Sequence, residues 1–480
     1  MAAMSTHGDY QLWIDGRWTT GNGTHFERVN PANGTVACRI ARADKTQVIE
    51  AITAARKALN AGWSQSDGAD RAAILLALAE ALMKHQEKMA QLETAILGSP
   101  LHFSRSFIEG AAKTFQYYAG LARDISGRSV RLGPGKTGFT LLEPIGVATL
   151  ILPWNFPIGE LAWKLGPALA AGCTVVAKPD LKTAATTLEV GPMLREAGLP
   201  DGVFNVVVGD VEEIGDVLTG HRDVDTVSFT GSSASGRNVM SSASATVKPL
   251  HLELGGKSPL IVLADSDIER AAVDAANGIF WHNGQVCTAC SRLLVERSVV
   301  DQFVELLKGE AAKMKIGDPL AADTDLGPVI SVEHRQRIEG FIERGIEAGA
   351  RLVRDGRFTG AEEAFIGPTI FTDVSPDMQL FRDEIFGPVA SVTPVDDLDE
   401  ALTLANDSVF GLGAGIWTNN MNAAMQAVHE LQAGMVWVNG YGAERCEMPW
   451  GGRKQSGYGR ELSPQSLEVF LNTKAVHISR

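Results

Sequence analysis

Two side chains in this sequence could together carry out covalent chemistry. Cys287 lies in the run Gly284-Gln285-Val286-Cys287-Thr288-Ala289, where a glycine turn can open a thiol to a substrate. Glu253, thirty-four residues upstream (287 − 253), lies in Leu252-Glu253-Leu254-Gly255-Gly256-Lys257. A carboxylate inside an apolar run can be held at a raised pKa, which suits a base, and a thiol with a base is the minimum for nucleophilic catalysis. Each has a plain alternative: a free cysteine is commonly inert core packing, and a glutamate is commonly a surface carboxylate. His282 offers a protease-like base for Cys287, but its place five residues away in the same segment suits helix surface or turn. Cys287 and Cys290 do not make a zinc site, because no second Cys pair or paired His completes one.

Two further runs follow strands and could serve the same chemistry. In Pro153-Trp154-Asn155-Phe156-Pro157 two prolines fix the backbone around Asn155, whose amide could act as a preorganised oxyanion donor. The alternative is a rigid loop in which Asn155 caps the next helix. Phe229-Thr230-Gly231-Ser232 ends a strand and starts a helix, so free amides there, with the Ser232 hydroxyl, could hold a pyrophosphate; the alternative is an ordinary N-cap. A G-x-G-x-x-G match at Gly133, Gly135 and Gly138 is a decoy. The dinucleotide fingerprint needs a helix after it, and here Phe139-Thr140-Leu141-Leu142 continues as strand.

The elements that must position these residues read as α/β. Asp44 with Gln47 resembles a capping box opening a helix to about 61, and further helices span about 69–97 and 103–123. From Ile145 onward, strands at 147–152, 174–177, 203–208 and 226–229 alternate with helices at 157–171, 183–197, 211–219 and 233–242, which implies a parallel sheet covered on both faces. A second alternation follows Glu253. It has strands at 259–263, 291–296, 390–394 and 434–439, helices near 298–313, 331–348 and 397–405, and a helix capped by Ser266 and Glu269; a strand-like tail runs over 471–478. The 480 residues suit two or three domains. A net charge of −14 without a Lys/Arg cluster argues against nucleic acid. No apolar run reaches membrane-spanning length, and Met1 to Tyr10 lacks the pattern of a signal peptide. Five scattered cysteines suit reduced thiols in a cytoplasm.

Taken in order, these runs resemble the aldehyde dehydrogenase superfamily over nearly the whole chain. The match continues through Lys178-Pro179, Glu384-Ile385-Phe386-Gly387-Pro388, Pro449-Trp450-Gly451-Gly452 and Ser456-Gly457-Tyr458-Gly459-Arg460-Glu461. The resemblance implies Cys287 as nucleophile, Asn155 as oxyanion donor and Glu253 as the base that hydrolyses a thioester. It implies NAD as cofactor, with NADP as the alternative, and no metal. Lys178 would reach the adenine ribose, Ser232 the pyrophosphate and Glu384 the nicotinamide ribose. Phe386, Thr230 and Leu254 would lie by the nicotinamide, and Ile151, Leu152, Trp154, Gly209, Phe229 and Gly231 would complete the cofactor site. The implied fold is a Rossmann-like dinucleotide-binding domain (1–121 and 146–253), an α/β catalytic domain (254–458) and a β-arm for oligomerisation (122–145 and 459–480). Homodimers or homotetramers follow from that arm.

Departures from the family pattern bear on cofactor and substrate. Many NAD-preferring relatives carry a Glu where this chain has Leu181; Lys182 then favours a 2′-phosphate and Asp180 opposes it. The aldehyde tunnel implied by the resemblance comprises Phe156, Glu160, Trp163, Trp281 and Trp450. Tryptophan at 281 and 450 resembles betaine-aldehyde and aminoaldehyde dehydrogenases, where aromatic faces attract a cation. Glu160 replaces a commonly apolar residue and would add negative charge. A general aliphatic, aromatic or semialdehyde specificity is the alternative. A CoA-acylating enzyme is disfavoured because such relatives usually lack the glutamate at 253.

Overall fold

The computed structural model describes residues 8–358 and 364–479; Met1 to His7, most of the stretch read above for a signal, lie outside them. The described residues build two large sheets of eight and seven strands, and two of three strands. The first large sheet has five parallel central strands, in the order Leu250–Glu253, Thr226–Thr230, Val147–Ile151, Thr174–Lys178, Phe204–Val206. Sequence order therefore runs outward on one side of Val147–Ile151 and then returns to the other, the doubly wound Rossmann-like arrangement. These strands are apolar and buried on both faces, as a sheet covered by helices on each side requires. The crevice where the order reverses lies between the ends of Val147–Ile151 and Thr226–Thr230, and the Pro153–Pro157 and Thr230–Ser232 runs leave the sheet there.

The second large sheet orders Arg351–Arg354, Thr369–Thr372, Val389–Val395, Arg292–Glu296, Pro259–Val262, Gly413–Trp417 and Met435–Val438. Separate apolar cores lie around the two sheets. The chain crosses between them directly after Glu253, and Gly457–Tyr458 returns to pair antiparallel with Leu250–Glu253. A nine-residue strand, Lys136–Pro144, pairs with the tail strand Leu471–Ser479 and with Ser129–Arg131. Gly133 and Gly135 form the turn of that hairpin with positive φ, and Gly138 is in its strand, so no helix start follows the G-x-G-x-x-G match.

Several expected elements differ in detail. The 69–97 helix is two helices, Gly68–Lys84 and Gln86–Leu97, broken at His85 (φ −104°, ψ 14°). The apolar spacing carries no mark of that break, because Leu82 and Met89 stand seven residues apart and keep one face. The helix after Pro259–Val262 is capped by Asp267, whose carboxylate accepts from Arg270 N at 3.1 Å, while Ser266 Oγ donates back to Leu263 O. Asp44 caps its helix as expected, but Gln47 does not reach back. Its amide accepts from Asn22 N and donates to Thr20 O instead.

Candidate active site

The Asn155 loop is built by its flanks. Leu152 N donates to Lys178 O at 3.0 Å, extending the ladder past Ile151, and Pro157 then starts the Pro157–Ala171 helix at a position where its missing N–H costs nothing. Asn155 is buried and its Nδ2 donates to Gln285 O at 3.0 Å. Its own carbonyl meets His282 Nε2 at 2.9 Å. His282 is thus not on a helix surface. It lies buried in a short turn with φ +52°, and burial lowers its pKa to about 4, so it stands as a neutral donor to Asn155 rather than a base for the thiol.

Cys287 is half-buried and keeps some accessible surface. Burial pushes its thiol well above the ordinary 9.0, and the carboxylates of Glu160, Glu384, Glu253 and Glu444 add to this. The loop after Glu253 lies directly against it: a Cβ on Gly256 would sit 2.4 Å from the Cys287 carbonyl oxygen, so only glycine permits the approach. Gln285, which sequence reasoning did not single out, ties this region together. Its Oε1 accepts from Ile330 N at 2.8 Å, while its carbonyl receives Asn155.

Glu253 belongs to a buried polar cluster. Its Oε1 lies 3.2 Å from His251 Nε2, and its Oε2 meets no hydrogen-bond partner among the described residues. His251 Nδ1 lies 2.9 Å from Ser228 Oγ and 3.9 Å from Glu461 Oε1. Glu461 bonds Lys164 Nζ, and Lys164 Nζ stands 3.8 Å from Glu160 Oε2. Burial, followed by the charge of Glu461, raises Glu253 well above the ordinary 4.5. Burial, followed by the charge of Glu461, raises Glu160 above the ordinary carboxylate range. Burial opposes the Lys164 charge, but Glu461 and Glu160 outweigh it and hold the lysine protonated. Burial, then Lys164 and Arg460, keep His251 neutral. Glu160 therefore sits with the carboxylates around Glu253, countered by Lys164, and is not a free anion among the aromatic rings. Lys164, His251 and Glu461 were not foreseen; a lysine inside the apolar Pro157–Ala171 helix was their one sequence signal.

On the other side of the crevice lie the residues expected for a cofactor. Ser232 N-caps the Ser233–Ala243 helix, its Oγ accepting from Ser235 N at 3.1 Å. Gly231 N donates to Glu253 O at 3.0 Å, so that amide is not free for a phosphate and instead ties this turn to the Glu253 strand. A Cβ on Gly236 would press on Leu254, fixing how closely this helix approaches. Lys178 is buried at its strand end, and a Cβ on Gly209 would meet the Ile214 side chain and Ala43 O. Thr230 Oγ1 is buried and faces the Glu160 carboxyl group, and Phe229 packs under Gly231. Glu384 accepts from Gly256 N at 3.1 Å and burial raises it to about 7. Arg337 grips the Glu384 and Ile385 carbonyls, and Phe386, at φ +58°, packs on Trp154 with 5.3 Å between centroids.

The aromatic residues form two groups. Phe156 stacks on Trp281 (5.6 Å, 23°), with Phe103 and Phe107 edge-on to that pair. Trp163 meets Trp450 at 5.2 Å, and Trp450 meets Trp437 at 6.2 Å. Phe103, Phe107 and Trp437 escaped the sequence reading because no motif marks them.

A dinucleotide-type crevice opening onto a cysteine and a buried glutamate is the architecture of dehydrogenases that oxidise their substrate while it is bound to a thiol. Residues 18–476 match the aldehyde dehydrogenase family, and the chain belongs to that family. It is 40% identical over 473 residues to betaine aldehyde dehydrogenase of Bacillus subtilis, covering 97% of this chain and 96% of that protein. It is 41% identical to the NADP/NAD-dependent aldehyde dehydrogenase PuuC of Escherichia coli, covering 99% and 97%. The structure of an NAD-dependent aldehyde dehydrogenase from Sinorhizobium meliloti superposes with a TM-score of 0.97 at 38% identity, covering 99% of this chain and 95% of the other. Betaine aldehyde dehydrogenase from Staphylococcus aureus in complex with NAD+ gives 0.95 at 37%, covering 98% and 94%.

Proposed function

We propose that this protein oxidises an aldehyde to the carboxylic acid with NAD, through an acyl group carried on Cys287. The observation that carries the reading is the meeting of three distant loops: Gly256, three residues after Glu253, lies against the Cys287 carbonyl, and Asn155 Nδ2 bonds Gln285, two residues before Cys287. Cys287 Sγ, its thiol proton released to solvent, attacks the aldehyde carbon as the thiolate. Negative charge gathers on the former carbonyl oxygen, where Asn155 Nδ2 and the Cys287 backbone N–H receive it. NAD, when bound, supplies the hydride acceptor that turns the thiohemiacetal into a thioester. Glu253 then takes a proton from water attacking the thioester carbon; the C–S bond breaks and the acid leaves. The Glu253 carboxylate, raised by burial, is a stronger base than a solvated one.

Lys178, the start of the Ser233–Ala243 helix and Glu384 fit the ribose and phosphate groups of NAD. For the adenine end, Asp180, Asp210 and Glu212 all bear on Lys178, whose pKa burial lowers against them. That acidic surround disfavours an added 2′-phosphate and supports NAD over NADP. We infer the domain division at 1–121 with 146–253, 254–458, and 122–145 with 459–480. The last pair forms an oligomerisation arm, supported by Val130, Leu132, Leu141 and Ile478 exposed on it. No helix among the described residues is long and apolar enough to cross a membrane. The five free thiols support a reducing cytoplasm.

The substrate class we favour is an amino- or other polar aldehyde, because indole faces at Trp281 and Trp450 suit a cation. The support from Glu160 falls away, since Lys164 stands beside it. One panel tests the reading. Reduced-nicotinamide absorbance is followed with NAD and with NADP, using 4-aminobutyraldehyde and an uncharged aldehyde of equal length. Higher kcat/KM for the cation and a lower KM for NAD are expected. Equal kcat/KM values remove the cationic preference, and a lower KM for NADP reverses the cofactor assignment.

A further inference from the structure

The cluster around Glu253 contains more carboxyl groups than one base needs. Glu160, Glu253 and Glu461 are all buried, each with an Oε2 that meets no hydrogen-bond partner among the described residues. One lysine, Lys164, faces them, bonded to Glu461 and 3.8 Å from Glu160. His251 bridges Glu461 and Glu253 at 3.9 and 3.2 Å and is neutral. Arg460 bears on Glu253 from the strand return, Glu444 bears on Glu160 from the loop after Met435–Val438, and the Thr230 hydroxyl faces Glu160 from its strand end. Glu461 and Lys164 neutralise each other as a bonded pair. If Glu160 and Glu253 were both ionised, two anions would lie buried together with Arg460, half-exposed, as their one further cation among the described residues, which like-charge repulsion and desolvation both oppose.

We propose that Glu160 and Glu253 share a single negative charge around the Lys164–Glu461 pair, so that Glu160 is a positioning residue that holds a proton whenever Glu253 has none. This rests on the reading of Glu253 as the base. The sharing keeps Glu253 ionised in part of the population at neutral pH without setting a second anion before the thiol. Glu160 is also the carboxylate whose charge weighs most on Cys287, after burial. The two groups then titrate as a pair, and neither has a pKa of its own.

The Cys287 thiol reports the cluster's charge without substrate or cofactor. Its alkylation rate by iodoacetamide is measured from pH 6 to 10.5 in the wild type, in Glu160→Gln, in Glu253→Gln and in the double variant. Because one charge is conserved, each single substitution leaves that charge on the remaining carboxylate and moves the thiol titration by no more than about 0.3 pH unit. The double substitution removes the charge and lowers the titration by about one unit or more, as expected when a buried charge that raises the thiol is taken away. Single shifts that sum to the double shift mean two independent anions and overturn the proposal; so does a double variant that titrates like the wild type. Glu160→Met, which leaves no polar atom to satisfy, replaces Gln in the same cycle and must give the same pattern. Turnover separates the two readings: normal steady-state activity in Glu253→Gln removes the base assignment, while the thiol titrations still decide whether the charge is shared.

Discussion

Replacing Glu253 with Gln isolates basicity from everything else the side chain does. Its Oε1 is placed by His251 Nε2 at 3.2 Å and its carboxyl group is confined by Gly451, where a Cβ would lie 2.7 Å from it. Gln keeps the volume and an oxygen for His251. What changes is the second position, the unpartnered Oε2, which becomes an NH2 that can only donate. Acylation needs an oxyanion donor and a thiolate, both still present, whereas hydrolysis of the thioester needs a proton acceptor near the water. Losing a positioned base costs about 10² to 10⁴ in the step it serves, or roughly 2.7 to 5.4 kcal/mol. Hydrolysis therefore becomes limiting. In stopped flow, one equivalent of reduced nicotinamide per subunit should appear as a burst, followed by a steady rate at least a hundredfold below the wild type. The apparent KM for aldehyde should fall as acyl-enzyme accumulates. A variant with no burst and kcat within about threefold of the wild type would refute Glu253 as the deacylating base.

Glu93 is fully buried with both carboxyl oxygens unpartnered among the described residues, and burial raises its pKa from 4.5 to about 8. A folded-state pKa above the unfolded one means its contribution is fully present below about pH 4.5 and lost as pH rises through about 8, on the order of 5 kcal/mol. Glu93→Gln should therefore raise the thermal midpoint at pH 8.5 but not at pH 4.5; equal changes at both would contradict this. Leu141 and Ile478 lie on one face of the Lys136–Pro144 and Leu471–Ser479 pair and are exposed in the single chain. Leu141→Glu with Ile478→Glu should lower the mass in light scattering to a smaller assembly, and an unchanged mass would remove the arm from the interface.

How much of this was legible in the sequence depends on the range of the physics involved. The Val147–Ile151, Thr174–Lys178 and Thr226–Thr230 strands and the Pro157–Ala171 helix fall within a residue or so of expectation, because fully buried strands and a Pro start are local signals. Gly413–Trp417 is not among the expected strands, because its two glycines weaken the strand pattern. In the sheet they are strand positions without room for a side chain: a Cβ on Gly415 would meet Leu260 at 2.7 Å and the Tyr441 ring at the same distance. The site divides in the same way. Asn155, Glu253 and Cys287 stand in motifs with proline or glycine beside them, and the structure brings their loops together. Their surroundings come from residues hundreds of positions away, such as Glu461 on Lys164, and no spacing rule connects those. Glu160 shows the consequence. Four residues before Lys164 on one helix face, it looked like a charge offered to the substrate, yet the same periodicity gives it a cation and turns it toward the carboxylates of the base. A buried charge takes its role from its partners, and in this chain those partners became visible only once the tail folded back onto the Glu253 strand.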